Sequence, residues 1–311
     1  MIHVIEVDIK YISEKNGRFL LLSFSFSKEK REKGKGKMLK YYQNLHMHST
    51  YCDGKDSVEE VIKGAIAQGM HSVGFSGHSY MHYAPDHSMS IAGTEEYIKE
   101  VNAMKEKYQD QIDIFRGLEF DMYSTDVDLS AYEYVIGTAH YLLIDGKHVG
   151  FDRTAPVVAG IIHDYFGGDG MKYAKMYYET LAQLPNYGRF DILGHADLIC
   201  KFSEKENFFD ESDPLYQSYA KDAIDALTGK IPLFEVNTGA ISRGYRTTPY
   251  PSPFLLKYFK EKGWNATISS DCHDVRFIRQ SFEESGELLK AAGFREYYVL
   301  TKDGFKAIAL D

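Results

Sequence analysis

From Lys40 onward, short apolar segments alternate with amphipathic ones, and few architectures accommodate that alternation. The strand-like segments are Tyr41–Leu45, Ser72–Phe75, Ile112–Arg116, Tyr134–Thr138, Phe190–Leu193, Ile231–Val236 and Ala266–Ser269. Helices are predicted over Val58–Gln68, Thr94–Tyr108, Met171–Leu184, Pro214–Leu227, Ser252–Lys262 and Phe282–Ala292. Thr94 opens a Thr-Glu-Glu-Tyr start, which reads as an N-cap with acid in the first turn. Gly69 and Gly263 fall where helix C-caps belong. Strands that alternate with helices pair in parallel, giving an α/β fold. Seven strands without a Gly-x-Gly-x-x-Gly after the first favour a barrel over a dinucleotide-binding sheet. There is no phosphate-binding P-loop, no Gly-x-Ser-x-Gly elbow and no Cys-x-x-Cys pair.

The N-terminal stretch differs. Ile2–Ile12 alternates loosely, Phe19–Phe26 is strand-like, and Asn16-Gly17 between them favours a tight hairpin turn. Lys28 to Lys37 then holds six basic and two acidic residues, the composition of a solvated linker. The expected organisation is an extension over residues 1–37 and one domain over residues 38–311, with Met38 as the native start. Acidic residues before the apolar run, and no small-residue cleavage pattern after it, argue against a signal peptide.

Charge and cysteine usage narrow the partners. The net charge of −9 argues against nucleic acid as the main partner, because phosphate-backbone binding needs a basic face. It leaves room for a small anion in a local cationic pocket. No apolar run approaches the length of a membrane span. Cys52, Cys200 and Cys272 are too few and too scattered for a disulfide framework, which suits a reducing cytoplasm. The sequence leaves the oligomeric state open.

Six of the twelve histidines follow the ends of predicted strands: His46, His48, His78, His140, His195 and His273. Asp53, Glu119 and Asp271 lie in the same segments. In a βα barrel these strand ends converge on one rim. His46 and His48 are two apart on extended chain, so both imidazoles point the same way, and Asp271 and His273 repeat the spacing. Imidazole and carboxylate without thiolate suit Zn, Mn or Fe as divalent ions. Nine such side chains exceed the needs of one ion and fit two or three. His3, His71, His82, His87, His148 and His163 read as packing or surface residues, and Cys52 and Cys272 as small packing residues.

His46-Met47-His48-Ser49-Thr50-Tyr51-Cys52-Asp53-Gly54 resembles the first motif of the PHP (polymerase and histidinol phosphatase) superfamily. The segments around His78, Glu119, His140, His195 and Asp271–His273 resemble its later motifs, in order. Gly194–Phe202 and Glu235–Ala240 bring the likeness nearest to the histidinol-phosphate phosphatases of the HisJ/HisK-like group. The resemblance implies a distorted seven-stranded βα barrel of TIM-like type with a trinuclear metal centre. Carried over, it implies one metal on His46, His48, Glu119 and Asp271, a second on Glu119, His140 and His195, and a third on Asp53, His78 and His273. Asp53 stands where some of the nearest phosphatases carry a histidine, although Asp-Gly is common in the wider superfamily.

The resemblance further implies a basic residue for substrate phosphate in the Asn237–Arg246 loop, either Arg243 or Arg246, with Lys201 as a third candidate. The implied reaction is hydrolysis of L-histidinol phosphate, a small phosphorylated metabolite of histidine biosynthesis. Cations would neutralise the phosphoryl oxygens, and an acidified water would attack phosphorus as hydroxide. Asp197 or Asp271 would carry the proton to the leaving alkoxide. Two rival readings are another PHP phosphoesterase acting on nucleotide or oligonucleotide phosphates, and a non-catalytic metal-binding module.

The extension generates its own test. A chain starting at Met38 should fold with an unchanged melting temperature. Insolubility, or a loss of several degrees, would make residues 1–37 an integral part of the fold.

Overall fold

A computed structural model describes residues 39–310, together with the backbone of two short strands before them. Those strands, Ser13–Lys15 and Arg18–Leu20, pair antiparallel with Lys15 opposite Arg18. They belong to a separate compact unit, Met1–Lys35. The remainder of the expected extension and linker, Met38 included, lies outside the described residues.

In the larger unit seven strands form one sheet in sequential order: β1 Gln43–Asn44, β2 Ser72–Phe75, β3 Asp113–Asp121, β4 Tyr134–Thr138, β5 Ile192–Leu193, β6 Leu233–Asn237 and β7 Asn265–Ser269. Every neighbouring pair is parallel. The sheet curls into a nearly closed barrel. Its seam closes at the C-terminal rim, where Met47 bridges Cys272 and the His48 N–H donates to the Cys272 carbonyl at 2.9 Å.

The helices α1 Val58–Ala67, α2 Ile91–Lys107, α3 Ala155–Phe166, α4 Gly170–Leu181, α5 Pro214–Leu227 and α6 Pro253–Glu261 lie in the crossovers, β3 passes to β4 through a short 3-10 turn, and α7 Phe282–Ala291 follows β7. A capping box starts α1: Ser57 Oγ accepts from the Glu60 N–H, and Glu60 accepts from the Ser57 N–H. Helix α2 begins one turn before the sequence expectation. Ser90, not Thr94, is its N-cap, because the Ser90 hydroxyl accepts from the Gly93 N–H at 2.9 Å. Among the described residues no helix is long and apolar enough to cross a membrane.

The barrel interior is filled rather than hollow. Leu45, Phe115, Tyr134, Ile136, Ile192 and Leu233 pack there, and Leu300 of the C-terminal hairpin Glu296–Thr301/Gly304–Ala309 joins them. Gln43 locks that hairpin to β1 by exchanging two hydrogen bonds with the Leu300 backbone. Tyr134 crosses the interior, and its hydroxyl donates to the carbonyls of Leu45 and Phe75. A Cβ on Gly117 would lie 2.1 Å from the Tyr134 ring, and one on Gly74 would lie 2.3 Å from its hydroxyl.

Asn44 holds the seam from inside. Its amide donates to Ser270 Oγ (2.6 Å) and to the Ile278 carbonyl (3.0 Å). Its carbonyl oxygen accepts from the N–H groups of Ser270 and His46. Asn44→Ala would strand these buried partners, at a cost of about 2–4 kcal/mol in chemical denaturation. A loss under about 0.5 kcal/mol would mean that backbone pairing alone closes the seam.

Candidate metal centre

Parallel strands deliver their C-terminal ends to one rim, and the nine side chains singled out by the sequence gather there. His46 and His48 follow β1, His78 follows β2, Glu119 faces inward from β3, His140 follows β4, and His195 follows β5. Asp271 and His273 follow β7. Asp271 adopts a left-handed φ of 48°, which Asp tolerates better than most residues. Asp53 comes from the loop after β1. Gly54 beside it packs against the chain so closely that a Cβ would lie 2.5 Å from the His48 carbonyl carbon. Only glycine allows that approach, and the return of the chain brings Asp53 to the rim.

The donors form three overlapping groups. In the first, Glu119 Oε2 lies 3.2 Å from His46 Nε2 and 3.4 Å from His48 Nε2. Asp271 Oδ1 lies 3.7 and 3.3 Å from the same two nitrogens. A tetrahedral ion with bonds of about 2.1 Å has ligand separations of roughly 3.4 Å, so the spacing fits. In the second group Glu119 Oε1 lies 3.1 Å from His195 Nε2 and 3.6 Å from His140 Nε2. In the third Asp53 Oδ1 lies 3.2 Å from His273 Nε2 and 3.9 Å from His78 Nε2. His48 Nδ1 is also 3.4 Å from that oxygen.

Hydrogen-bond accounting supports a cation. His46 Nε2, His48 Nε2, Glu119 Oε2 and Asp53 Oδ1 are buried and make no hydrogen bond. Orphaned buried polar atoms are costly, and four converging in one rim fit residues shaped to ligate.

Two further carboxylates, which the sequence reading did not assign, contact the donors, and Asp121 with His78 and His140 forms a further group close enough to hold an ion. Glu235 on β6, 1% exposed, accepts from His46 Nδ1 at 3.0 Å, the His195 N–H at 2.8 Å, Asn237 and Ser269. Asp121, at the end of β3, contacts the Nδ1 atoms of His78 and His140. The signal was present: Glu119/Asp121 and Glu235/Asn237 are inward-facing pairs at strand spacing.

The charges are strongly coupled. Burial disfavours a charged His46, but Glu235, Glu119 and Asp271 outweigh it and hold its pKa well above the ordinary value. Burial lowers His48 to about 3, and the neighbouring His273 and His78 push the same way. Burial would raise Glu119, yet His78, His46 and His140 hold it well below the carboxylate range. Burial would lower His140, but Asp121 and Glu119 raise it to about 9.

A cavity of about 350 Å³ opens over this cluster. Arg243 lines it, donating to the Asp271 carbonyl at 3.1 Å and to Asp271 Oδ2 at 3.0 Å. Lys201 also lines it, paired with Asp152 at 2.5 Å. Arg153, Tyr141 and Tyr245 complete walls that sequence reasoning missed. Two expected residues lie elsewhere. Arg246 is buried against the Cys200 carbonyl and Ser203 and does not line the cavity. Gly244, at a left-handed φ of 71°, turns the chain between Arg243 and Arg246. Asp197 is fully buried, accepts from the Ser252 N–H at 2.7 Å, and does not line the cavity either. Burial raises its pKa, with Arg246 opposing. Asp271 is at the cluster: burial would raise its pKa, and Arg243 and His46 hold it well down.

An α/β barrel with histidines and carboxylates gathered on its C-terminal rim defines a class of barrel proteins with a candidate multinuclear metal centre. Residues 44–239 match the PHP domain family, and the chain belongs to it. The chain is 26% identical over 263 residues to the "Probable histidinol-phosphatase" of Deinococcus radiodurans, covering 80% of this chain and 93% of that relative. The structure of hisK from Listeria monocytogenes superposes with a TM-score of 0.69 at 19% identity, covering 78% of this chain and 99% of that one. The histidinol phosphate phosphatase of Lactococcus lactis, solved with Zn, L-histidinol and phosphate, gives 0.64 at 20% identity, covering 85% and 98%. Both share the barrel fold.

The raised His140 pKa has a measurable consequence. Without metal this imidazole is protonated at pH 7, and ligation requires it neutral. Metal loading at pH 7 should therefore release protons, and binding should tighten as pH rises toward about 9. The same shift stabilises the metal-free fold below the ordinary value of 6.5, a contribution lost as pH rises through about 9. Zinc titration in weak buffer with an indicator dye reads the release. Loading without proton release would contradict the protonated state.

Proposed function

We propose that this protein is a metal-dependent phosphomonoester hydrolase whose substrate is L-histidinol phosphate. The carrying observation is the division of the Glu119 oxygens between two donor groups beneath a cavity walled by Arg243. The relatives support the substrate: one is named a histidinol-phosphatase, and the Lactococcus protein holds Zn, histidinol and phosphate. Two to three divalent ions, Zn, Mn or Fe, would be held as the overlapping groups suggest. His46, His48, Glu119 and Asp271 would hold the first, Glu119, His140 and His195 the second, and Asp53, His78 and His273 the third. When bound, such ions supply positive charge against phosphoryl oxygens and make water more acidic.

The chain's own residues do the rest. Arg243 presents a planar guanidinium to the cavity, suited to a phosphoryl group. The same guanidinium orients Asp271 and stands 3.1 Å from His273 Nδ1. Lys201, neutralised by Asp152 and packed 4.5 Å from the Tyr245 ring centroid, is a weaker phosphate contact. The aromatic and carboxylate walls suit a small cationic amine.

The test is phosphate release from L-histidinol phosphate and from a nucleotide monophosphate, with metal analysis. Wild-type protein should prefer the former and carry two to three ions. Arg243→Ala should lower kcat/KM by roughly ten- to a few-hundred-fold at saturating metal, for the loss of charge-assisted hydrogen bonds. A tenfold preference for the nucleotide would replace this reading with the nucleotide phosphoesterase. Less than one ion per chain after metal-replete expression would remove its basis.

A further inference from the structure

We propose that Asp121 is a positioning residue that couples two metal sites, by holding the same tautomer on a histidine of each. The inference rests on the metal-centre reading above. Asp121 faces inward two residues beyond Glu119 and has no exposed surface. Its Oδ1 lies 2.6 Å from His140 Nδ1, and its Oδ2 lies 3.1 Å from His78 Nδ1. The two rings stand edge to face with centroids 5.3 Å apart, so one carboxylate reaches both. Its backbone N–H donates to Ser79 Oγ at 3.0 Å, and Ser79 Oγ contacts Ser124 Oγ at 2.7 Å. The carboxylate is therefore held from its own main chain.

An ionised carboxylate accepts hydrogen bonds and donates none. A neutral imidazole carries one N–H. Both Nδ1 atoms must then bear the proton, and both Nε2 atoms keep the lone pair that a metal needs. His78 Nδ1 is also 3.0 Å from Glu119 Oε2, but that oxygen makes no hydrogen bond, so the tautomer of His78 is set by Asp121. The freed nitrogens point at different donor groups: His140 Nε2 toward Glu119 Oε1 at 3.6 Å, and His78 Nε2 toward Asp53 Oδ1 at 3.9 Å. One side chain thus orients a ligand at the second site and another at the third.

Asparagine separates this role from simple space-filling. Its amide has one acceptor and one donor end. It can satisfy Nδ1–H on one imidazole only. The other imidazole meets an NH₂ group, moves its proton to Nε2, and loses its lone pair toward the ion.

The experiment uses the full-length zinc-loaded protein and its D121N and D121A variants. Chelator competition gives the affinity of each ion, and ¹⁵N-imidazole NMR of the wild type gives the tautomers. His78 and His140 should be protonated at Nδ1 and ligated through Nε2. D121N should weaken one ion about 10- to 100-fold and leave the others in place, whereas D121A should weaken two. If D121N holds every ion as tightly as wild type, the coupling is wrong. Ligation through Nδ1 would make Asp121 itself a ligand and also overturn it. Wild-type protein that binds less than one ion would overturn the metal-centre reading, and this inference with it.

Discussion

The rim depends on a single buried carboxylate shared between two sets of imidazoles. Glu119 is 1% exposed, and water does not offset its charge. One oxygen meets His46 and His48, and the other meets His140 and His195. A side chain on a mobile loop could not divide itself this way reproducibly. Glu119 sits instead within a strand paired on both sides, where its Cα has little freedom. The isolated bridge between Glu119 and His78 extends that restraint beyond β2.

The barrel interior transmits this restraint to the other strands. The Tyr134 hydroxyl reaches the Leu45 carbonyl, one residue before His46, and the Phe75 carbonyl, three residues before His78. It thus ties the ends of β1 and β2 just beneath their histidines. The space for its ring exists because positions 74 and 117 lack a Cβ. Asn44 works from the other side, bonding across the seam to Ser270 just before Asp271. Core packing and site geometry are consequently one system, and a change that loosens the interior also displaces a donor.

This arrangement explains what the sequence disclosed. The rim histidines were legible because a parallel barrel turns "just after a strand" into a position in space, whatever the sequence separation. Strands β2 and β4 fell where alternation put them, whereas β3 runs five residues further to Asp121. Helix α3 was missed because Ala155–Phe166 is apolar on most sides, so its periodicity does not distinguish helix from strand. Arg243 and Arg246 could not be separated from spacing alone. Arg243 caps a four-residue helical turn after β6, and Gly244 at a left-handed φ then turns the chain before Arg246. Glu235 and Asp121 look like ligands in sequence, and only distance shows that they face the far nitrogens of their histidines.

The cavity also reconciles an acidic protein with an anionic substrate. Its lining holds Asp53, Glu119, Asp121, Asp152 and Asp271 against only Arg153, Lys201 and Arg243 as permanent cations. Lys201 is largely cancelled by Asp152, and Arg243 is already engaged by Asp271. Before metal binds, the raised pKa values of His78 and His140 add protonated imidazoles that offset these carboxylates. On the proposed function, ligation requires those imidazoles neutral, and divalent charge would take their place against the phosphoryl oxygens. Ion binding would then contribute to phosphate recognition as well as to chemistry. The net charge of the whole chain says little about the ligand, because the field that matters is set within a few ångströms of Glu119.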